Sequence, residues 1–356
     1  MLKPDESRLR AFLLTHIPAP SVENLVTGAE ATVSPVSAAV NRKVTWPHGK
    51  KFAFTVFDDT DRATLDNIRP IYSFLSKLGF QTTKSVWPVR GNQEPVNPGA
   101  TCADRDYLLW LLELQQSGFE IGYHMTTYHT ALREEIKDGL EKFRQFFGRY
   151  PSSMANHVGC SENVYWGDSR FTGLNRFVYN LLTGYQQHNK YRGHVEGDPR
   201  FWGDVCRAKI KYVRNWTFPD INTMKACPIM PYHDPKRPYV NYWFASSKAG
   251  NVELFNGCMA EHNQERLERE GGLCIIYTHF AFGFYENGQL NPRFKTLMQQ
   301  LSERNGWFVP VTTLLDFLLE HSGNTTISDA DRKRLERRWL RHMMWYRLRA
   351  MYRHMN

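Results

Sequence analysis

Short apolar runs alternate with amphipathic stretches between residues 50 and 320 of this chain, and that alternation limits its fold more than any other feature. Residues 52–57 are apolar like a strand buried on both faces, and residues 64–78 carry apolar side chains at helical spacing until Gly79. Periodicity is weak only between residues 160 and 250. Strands that alternate with helices form a parallel sheet or barrel covered by helices, so we predict an α/β fold.

Polar residues follow several predicted strands at the point where each strand ends. They are the pair Asp58 and Asp59, then His124, the pair Asn156 and His157, and finally His279. Because functional sites of such folds assemble at the carboxyl ends of the strands, we expect these side chains to share one site.

The first of these positions holds adjacent carboxylates, Asp58 and Asp59, with Asp61 close behind. Two neighbouring carboxylates are costly to bury unless a proton or a cation lies between them. One of them can therefore bind a metal ion while the other acts as a base. The alternative is an acidic turn before the next helix, and Asp61 fits a turn or cap residue as well as a metal site.

Histidines follow two of the other strands. His124 and His129 supply two imidazoles, which with one carboxylate form an ordinary catalytic site for a divalent metal. The loop between them must bend, because a spacing of five residues does not place both rings on one face of a helix. His279 has a side chain whose ordinary pKa suits protonation of a leaving amine. Each histidine taken singly also fits a core or surface role.

In this order the motifs resemble those of the polysaccharide deacetylase family (NodB-homology, carbohydrate esterase family 4-like). Residues 54–59, Phe-Thr-Val-Phe-Asp-Asp, are similar to the family's first motif, with a catalytic base followed by a metal ligand. His124 and His129 resemble its pair of histidine ligands. Residues 275–279, Ile-Ile-Tyr-Thr-His, resemble its last motif, which ends in the general acid.

The resemblance implies a divergent family member with a distorted (β/α) barrel over residues 46–322. It implies an enzyme that removes an acetyl group from an N-acetylated sugar or glycan, as in surface polysaccharide biosynthesis. The implied roles are base for Asp58, acid for His279, and metal binding for Asp59, His124 and His129. The metal is expected to be Zn²⁺, with Co²⁺, Ni²⁺ or Fe²⁺ as alternatives.

A third motif matches less closely at residues 155–159, Ala-Asn-His-Val-Gly, where the family's base-orienting Arg is missing. The resemblance makes Asn156, His157 and Val158 the substrate-binding candidates, and Trp216 and Asp220 are candidates for a fourth motif. Because that Arg is missing, a catalytically silent carbohydrate-binding barrel is one alternative. An amidohydrolase acting on a small non-sugar molecule is another.

The formal net charge of +9 is concentrated at the end of the chain. Residues 331–356 hold nine Lys and Arg side chains against two acids, so the rest is nearly neutral. No recognised nucleic-acid module accompanies the charge, and we expect no nucleic-acid partner. Residues 323–356 are predicted to form a basic amphipathic helix, which either touches an anionic membrane surface or docks on the barrel.

The remaining features concern the surroundings of the protein. Six scattered cysteines without a C-x-x-C pair favour free thiols in a reducing compartment. Residues 1–45 have no secretory pattern and are interpreted as an N-terminal extension. We therefore expect a cytoplasmic protein, with peripheral membrane contact through residues 331–356 as an option.

Overall fold

The computed structural model of the protein describes residues 44–95, 97–322 and 325–355, with the backbone alone from residue 349 onward. The predicted N-terminal extension, residues 1–45, therefore lies outside the described residues except for its last two. The strands are β1 (Phe52–Asp58), β2 (Thr83–Val86), β3 (Glu120–Tyr123), β4 (Ser153–Ala155), β5 (Tyr212–Phe218), β6 (Tyr242–Lys248), β7 (Leu273–Thr278), β8 (Tyr285–Glu286), β9 (Gln289–Leu290) and β10 (Gly306–Phe308).

Helices follow most of these strands, as the amphipathic stretches predict. They are α1 (Leu65–Lys77), α2 (Arg105–Gln116), α3 (Arg133–Phe147), α4 (Gly173–Leu182), α5 (Gly203–Lys209), α6 (Thr223–Ala226), α7 (Val252–Cys258), α8 (Glu261–Arg269), α9 (Pro292–Ser302), α10 (Val311–Glu320) and α11 (Asp329–Met355). Short 3₁₀ turns lie at Pro47–Gly49 and Gly167–Arg170.

Strands β1 to β7 form a closed parallel barrel. Each strand pairs in parallel with the next, and β1 closes the ring by pairing with β7, from Ala53 opposite Leu273 to Asp58 opposite Thr278. β10 pairs in parallel with the first half of β1, and β2 pairs in parallel with the last two residues of β1. The predicted α/β barrel is confirmed.

Helix α1 illustrates how local signals set the ends of an element. The Thr64 hydroxyl accepts a hydrogen bond from the Asn67 N–H at 3.4 Å, and the Asn67 side-chain oxygen accepts one from the Thr64 N–H at 2.9 Å. This reciprocal cap satisfies two backbone donors that the first helical turn leaves unpaired. Gly79, with φ of +80°, ends the segment, because residues with a Cβ rarely adopt that conformation.

Strands β5 and β6 lie in the region of weak periodicity. β5 is almost wholly buried, yet it includes Arg214 and Asn215, so it shows neither an apolar run nor an alternating pattern. Buried polar side chains in the middle of a strand hide it from a hydrophobicity-based prediction.

The first half of α11 docks on the barrel. Arg332 is buried and its guanidinium lies 2.7 Å from the Asp234 carboxylate. Glu336 is also buried, and Trp339 packs its ring against Trp216 with 5.9 Å between centroids. Of the two alternatives for the predicted tail helix, this half therefore follows the docked one.

Two observations bear on the surroundings of the chain. Among the helices of the described residues, none is long and apolar enough to cross a lipid bilayer. All six cysteines are buried and free, as expected for thiols that act as small core residues.

Candidate metal centre and hydrolytic site

A cavity of about 340 Å³ lies at the carboxyl ends of the barrel strands. Polar residues that follow β1, β3, β4 and β7 contribute to its wall, together with side chains from β5 and β6. Its polar and charged lining residues are Asp59, Asp61, Asn97, His124, Asn156, His157, Arg170, Arg214, Thr217, Lys248 and His279. The volume is in the range of small-molecule sites.

Three buried side chains in this cavity have the composition of a divalent-metal site. Asp61, His124 and His157 present ligand atoms that all lie within 4.8 Å of one another, and among the described residues no other group of His, Cys, Asp and Glu does so. The Asp61 carboxylate lies 3.1 Å from Nε2 of His124 and 3.0 Å from Nε2 of His157. Two imidazoles and one carboxylate leave coordination positions open for water and substrate.

The hydrogen bonds behind the two rings support this donor set. Nδ1 of His124 donates to the Ala155 carbonyl at 3.2 Å, and Nδ1 of His157 lies 3.4 Å from the Cys160 sulfur. With the proton on Nδ1, each Nε2 directs a lone pair at the Asp61 carboxylate, and two electron-rich atoms need a cation or proton between them. The residues therefore fit a divalent metal ion.

Two of the three ligands predicted from the sequence lie together, since an Asp59 carboxylate oxygen is 3.8 Å from Nε2 of His124, but the third lies apart. His129 is oriented elsewhere: its Nε2 accepts a hydrogen bond from the Asn92 N–H at 3.0 Å, and its Nδ1 faces the Thr130 carbonyl at 2.9 Å. Both ring nitrogens are thus engaged by backbone groups. The candidate group that the structure forms around His124 contains Asp61 and His157, whereas the resemblance implied Asp59 and His129.

Asp59 instead forms a bidentate ion pair with Arg214 of β5. Its two carboxylate oxygens lie 2.8 and 2.6 Å from the two terminal guanidinium nitrogens, and both side chains are buried. Burial by itself raises the pKa of Asp59, but Arg214 and the His124 ring outweigh it, so the pKa lies below its usual value. The carboxylate is therefore ionised and held in one orientation inside the cavity. Arg214 therefore places an arginine beside the candidate base. It lies on β5, whereas the motif in which the family's arginine is missing begins at the end of β4.

Asp58 lies away from the cavity lining, in contrast to its predicted role. Its carboxylate accepts hydrogen bonds from the Tyr72 hydroxyl at 3.0 Å and the Phe280 N–H at 2.8 Å, and lies 3.0 Å from the fully buried Lys84 ammonium. Burial raises the pKa of Asp58, and Lys84 offsets this only in part. These partners indicate a structural role. The ion pair of Asp58 with Lys84 joins β1 to β2, and the Tyr72 hydroxyl adds a contact from α1.

His279 is placed as the sequence predicts, at the end of β7 and in the cavity. Its Nδ1–H donates to the Gly250 carbonyl at 2.8 Å, and its Nε2 lies 3.5 Å from the Asp61 carboxylate. Burial alone lowers the pKa of His279, but the carboxylates of Asp61 and Asp59 outweigh it and raise the pKa. A protonated Nε2 facing the cavity is the arrangement that a general acid needs.

Backbone strain occurs directly after two of the candidate ligands. Arg62 follows Asp61 with φ of +56°, and Met125 follows His124 with φ of +68°. Side chains with a Cβ adopt this left-handed conformation at a cost of about 1–3 kcal/mol, and such strain concentrates at functional sites. In both cases the unusual turn comes where the chain leaves the barrel.

The other predicted residues have different roles. Asn156 lines the cavity, but its side chain is tied to the backbone of Val164, and exposed Val158 forms part of the rim. Trp216 is buried behind the wall, and Asp220 pairs with Arg266 at 3.1 Å. The structure therefore keeps Asp220 out of the cavity lining.

Several lining residues were missed by the sequence prediction. Arg214 lies within the unrecognised strand β5, Arg170 lies in the 3₁₀ turn, and Trp339 comes from the docked α11. A buried basic residue between aromatic positions was the available signal for Arg214, but it required recognition of the strand first.

Behind the site, Glu162 is a buried carboxyl group without a hydrogen-bonded side-chain oxygen among the described residues. Burial raises its pKa from 4.5 to about 8. Below pH 4.5 the Glu162 carboxyl is protonated in both the folded and the unfolded chain, and its contribution to stability is fully present. As the pH rises, the unfolded chain releases the proton first, so this contribution is lost as the pH passes through 8.

We therefore expect the unfolding free energy to fall by about 3 kcal/mol between pH 5.5 and pH 8 on account of Glu162, at about 1.4 kcal/mol per pKa unit. Glu162→Gln, which stays neutral, is expected to flatten this fall. Urea unfolding of both chains at several pH values measures it, and parallel pH profiles would contradict the assignment.

No family model matches the sequence, and no curated protein matches it significantly. Similar solved structures include one from Mycobacterium smegmatis named as a polysaccharide deacetylase, with 11% identity, 80% of this chain and 96% of that chain covered, and a TM-score of 0.46. The allantoinase PuuE is 11% identical, with 76% and 91% covered and a TM-score of 0.42. A family 4 acetyl xylan esterase from Clostridium thermocellum, in complex with a cobalt ion, is 14% identical, with 76% and 92% covered and a TM-score of 0.35.

A protein named as a polysaccharide deacetylase, the family that the motifs resemble, is thus among the structures to which this chain is similar. Identities this low do not identify the acting residues. Their roles must come from the side chains of this chain.

Proposed function

We propose that this chain is a metal-dependent hydrolase that removes an acetyl group from an N-acetylated sugar or glycan. The observation that carries the proposal is the joint presence, in one cavity, of the Asp61, His124 and His157 group and the arginine-held carboxylate of Asp59. His279 completes the set from β7. These groups supply a metal site, a base and an acid, which amide hydrolysis requires.

Asp61, His124 and His157 are the residues that would hold the metal ion. When bound there, a divalent ion polarises an amide carbonyl and lowers the pKa of water. Zinc suits two imidazoles and one carboxylate, and cobalt, nickel and iron accept the same ligands.

Asp59 and His279 carry the proton transfers in this proposal. Asp59, oriented by the two N–H groups of Arg214, takes a proton from the attacking water. His279, whose Nδ1–H is held by the Gly250 carbonyl, delivers a proton from Nε2 to the departing amine. The backbone N–H of Val158, at the cavity rim, is available to the developing oxyanion.

Two alternatives bear on this proposal. The catalytically silent carbohydrate-binding barrel was suggested by a missing arginine, and the bidentate pair of Arg214 with Asp59 removes that reason. An amidohydrolase acting on a small non-sugar substrate would use the same groups, so the substrate panel must include such amides.

Localisation also stays a proposal. We propose a cytoplasmic enzyme without a nucleic-acid partner, in which α11 makes any peripheral membrane contact through its outer part. Arg332 and Trp339 are engaged with the barrel, whereas Met344, Tyr346 and Leu348 are exposed.

Acetate release tests the function. The purified chain is expected to release acetate from one or more members of a panel of N-acetylated sugars and oligosaccharides, to stop after chelation, and to recover with Zn²⁺. Enzymatic acetate detection, with metal content measured in parallel, checks this. Undiminished turnover in metal-free protein would contradict metal dependence, and hydrolysis confined to non-sugar amides would favour the amidohydrolase.

A further inference from the structure

Arg170 is a buried cation in the candidate site that lacks a carboxylate partner. Five Lys and Arg side chains are buried among the described residues, and Arg170 is 6% exposed. The other four pair with buried carboxylates: Lys84 with Asp58, Arg214 with Asp59, and Arg237 and Arg332 with Asp234. For Arg170, no described carboxylate lies within 4.0 Å of the guanidinium nitrogens.

Aromatic rings surround this guanidinium without supplying a charged acceptor for its donors. Its central carbon lies 4.2 Å from the ring centroid of Trp166, 4.7 Å from that of Trp339 and 5.3 Å from that of Trp216. Ring faces stabilise a cation by about 0.5–2 kcal/mol, but they accept none of its five N–H groups in the ordinary way. One terminal nitrogen reaches the Asn215 carbonyl at 3.4 Å, and the Tyr179 hydroxyl is a second, uncharged hydrogen-bond partner of the guanidinium. Nε has no hydrogen-bond partner among the described residues.

The charge distribution of the cavity also favours an anionic ligand. Arg170, Trp166 and Trp339 line the same cavity as the candidate ligands, and Lys248 at its rim also lacks a carboxylate partner in the described part of the chain. The cavity carboxylates, Asp59 and Asp61, are already engaged by Arg214 and by the histidines. A buried charge without a counterion is costly, so a positive, aromatic-lined wall is complementary to an anion.

We infer that the substrate of the proposed deacetylase carries an acidic oxyanion, a phosphate or a carboxylate, that binds Arg170 between Trp166 and Trp339. This inference rests on the proposed function for the reacting acetamide. The bound anion provides Arg170 with the charged acceptor that the protein does not supply. Arginine favours such groups because its planar guanidinium makes paired hydrogen bonds to two oxygens.

Binding to the full chain tests the inference with three sugars that share one acetamide. The probes are N-acetylglucosamine, its 1-phosphate, and the corresponding N-acetylated uronic acid, each titrated calorimetrically. One or both acids are expected to bind about 10- to 100-fold more tightly than the neutral sugar, as hydrogen bonds between charged groups imply. Preference for the phosphate or the uronic acid identifies which oxyanion the site takes, and equal affinity of all three sugars would overturn the inference.

Variants then locate the preference. Arg170→Gln is expected to reduce the affinity preference for the acidic over the neutral sugar to a few-fold at most. Arg170→Lys is expected to keep part of that preference. Arg133→Gln alters a partly exposed arginine outside the cavity lining that is paired with Asp204, so it should leave the preference unchanged. An undiminished preference in folded Arg170→Gln would reject the assignment. If that variant does not fold, the unaltered chain and Arg170→Lys decide: a preference that Arg170→Lys does not diminish also rejects it.

Calorimetry requires no acetate release. Failure of the anion inference and failure of the proposed deacetylase activity are therefore observed separately.

Discussion

His157→Ala is expected to weaken divalent-metal binding by well over about 100-fold, since loss of an outer partner alone costs about 10- to 100-fold and this change removes a direct ligand. His129→Ala is expected to leave metal affinity within a few-fold of the unaltered chain. The reason is geometric: Nε2 of His157 lies 3.0 Å from Asp61, whereas Nε2 of His129 accepts the Asn92 N–H. Metal titration monitored by competition with a chromophoric chelator gives both affinities.

This pair of variants is a matched test, because both remove one imidazole from a loop at the same end of the barrel. Circular dichroism and thermal unfolding establish that each variant is folded before metal is measured. The opposite ranking, with metal lost on removal of His129 and kept on removal of His157, would restore the ligand set implied by the motif resemblance.

Asp59→Asn is expected to lower kcat by about 10²- to 10⁴-fold, the usual contribution of a general base, while metal content stays full. The amide keeps the shape of the carboxylate but cannot accept the proton. Single-turnover acetate release, with metal quantified in the same samples, measures the effect. Arg214→Lys should give an intermediate loss, because a lysine keeps the charge without the two-point hold on the carboxylate.

Asp58→Asn provides the control for this assignment. It leaves the fully buried Lys84 without its counterion, so we expect a stability loss of about 3–5 kcal/mol and far smaller changes in turnover per folded molecule. A folded Asp58 variant that binds metal but does not turn over, beside an active Asp59→Asn enzyme, would reverse the two roles.

The sequence predicts a barrel and the end of it at which the candidate site lies, although β5 and β6 were not recognised. The strands β1, β3 and β7 are present, and Asp59, His124 and His279 follow them as predicted. The sequence does not predict the direction in which each side chain points. Residues 52–57 are buried at every position and apolar except for Thr55, so the strand has no alternation that would show whether Asp58 or Asp59 faces the barrel axis.

The candidate metal ligands show a second limit of prediction from sequence. Both His129 and His157 lie in loops after strands, and the spacing of five residues matched a known motif. Packing between distant segments decides between them, since Asn92 engages one ring and Cys160 supports the other. Arg214 was missed for a similar reason: its partner, Asp59, is 155 residues away and across the barrel.

Trp339 lies on a helix that begins at Asp329, after the last strand of the barrel, yet its indole lines the chamber that holds the candidate site. Removing the end of the chain to improve solubility would open that chamber to water. The same holds for any surface or protein that pulls α11 outward: binding there would change which molecules fit the chamber.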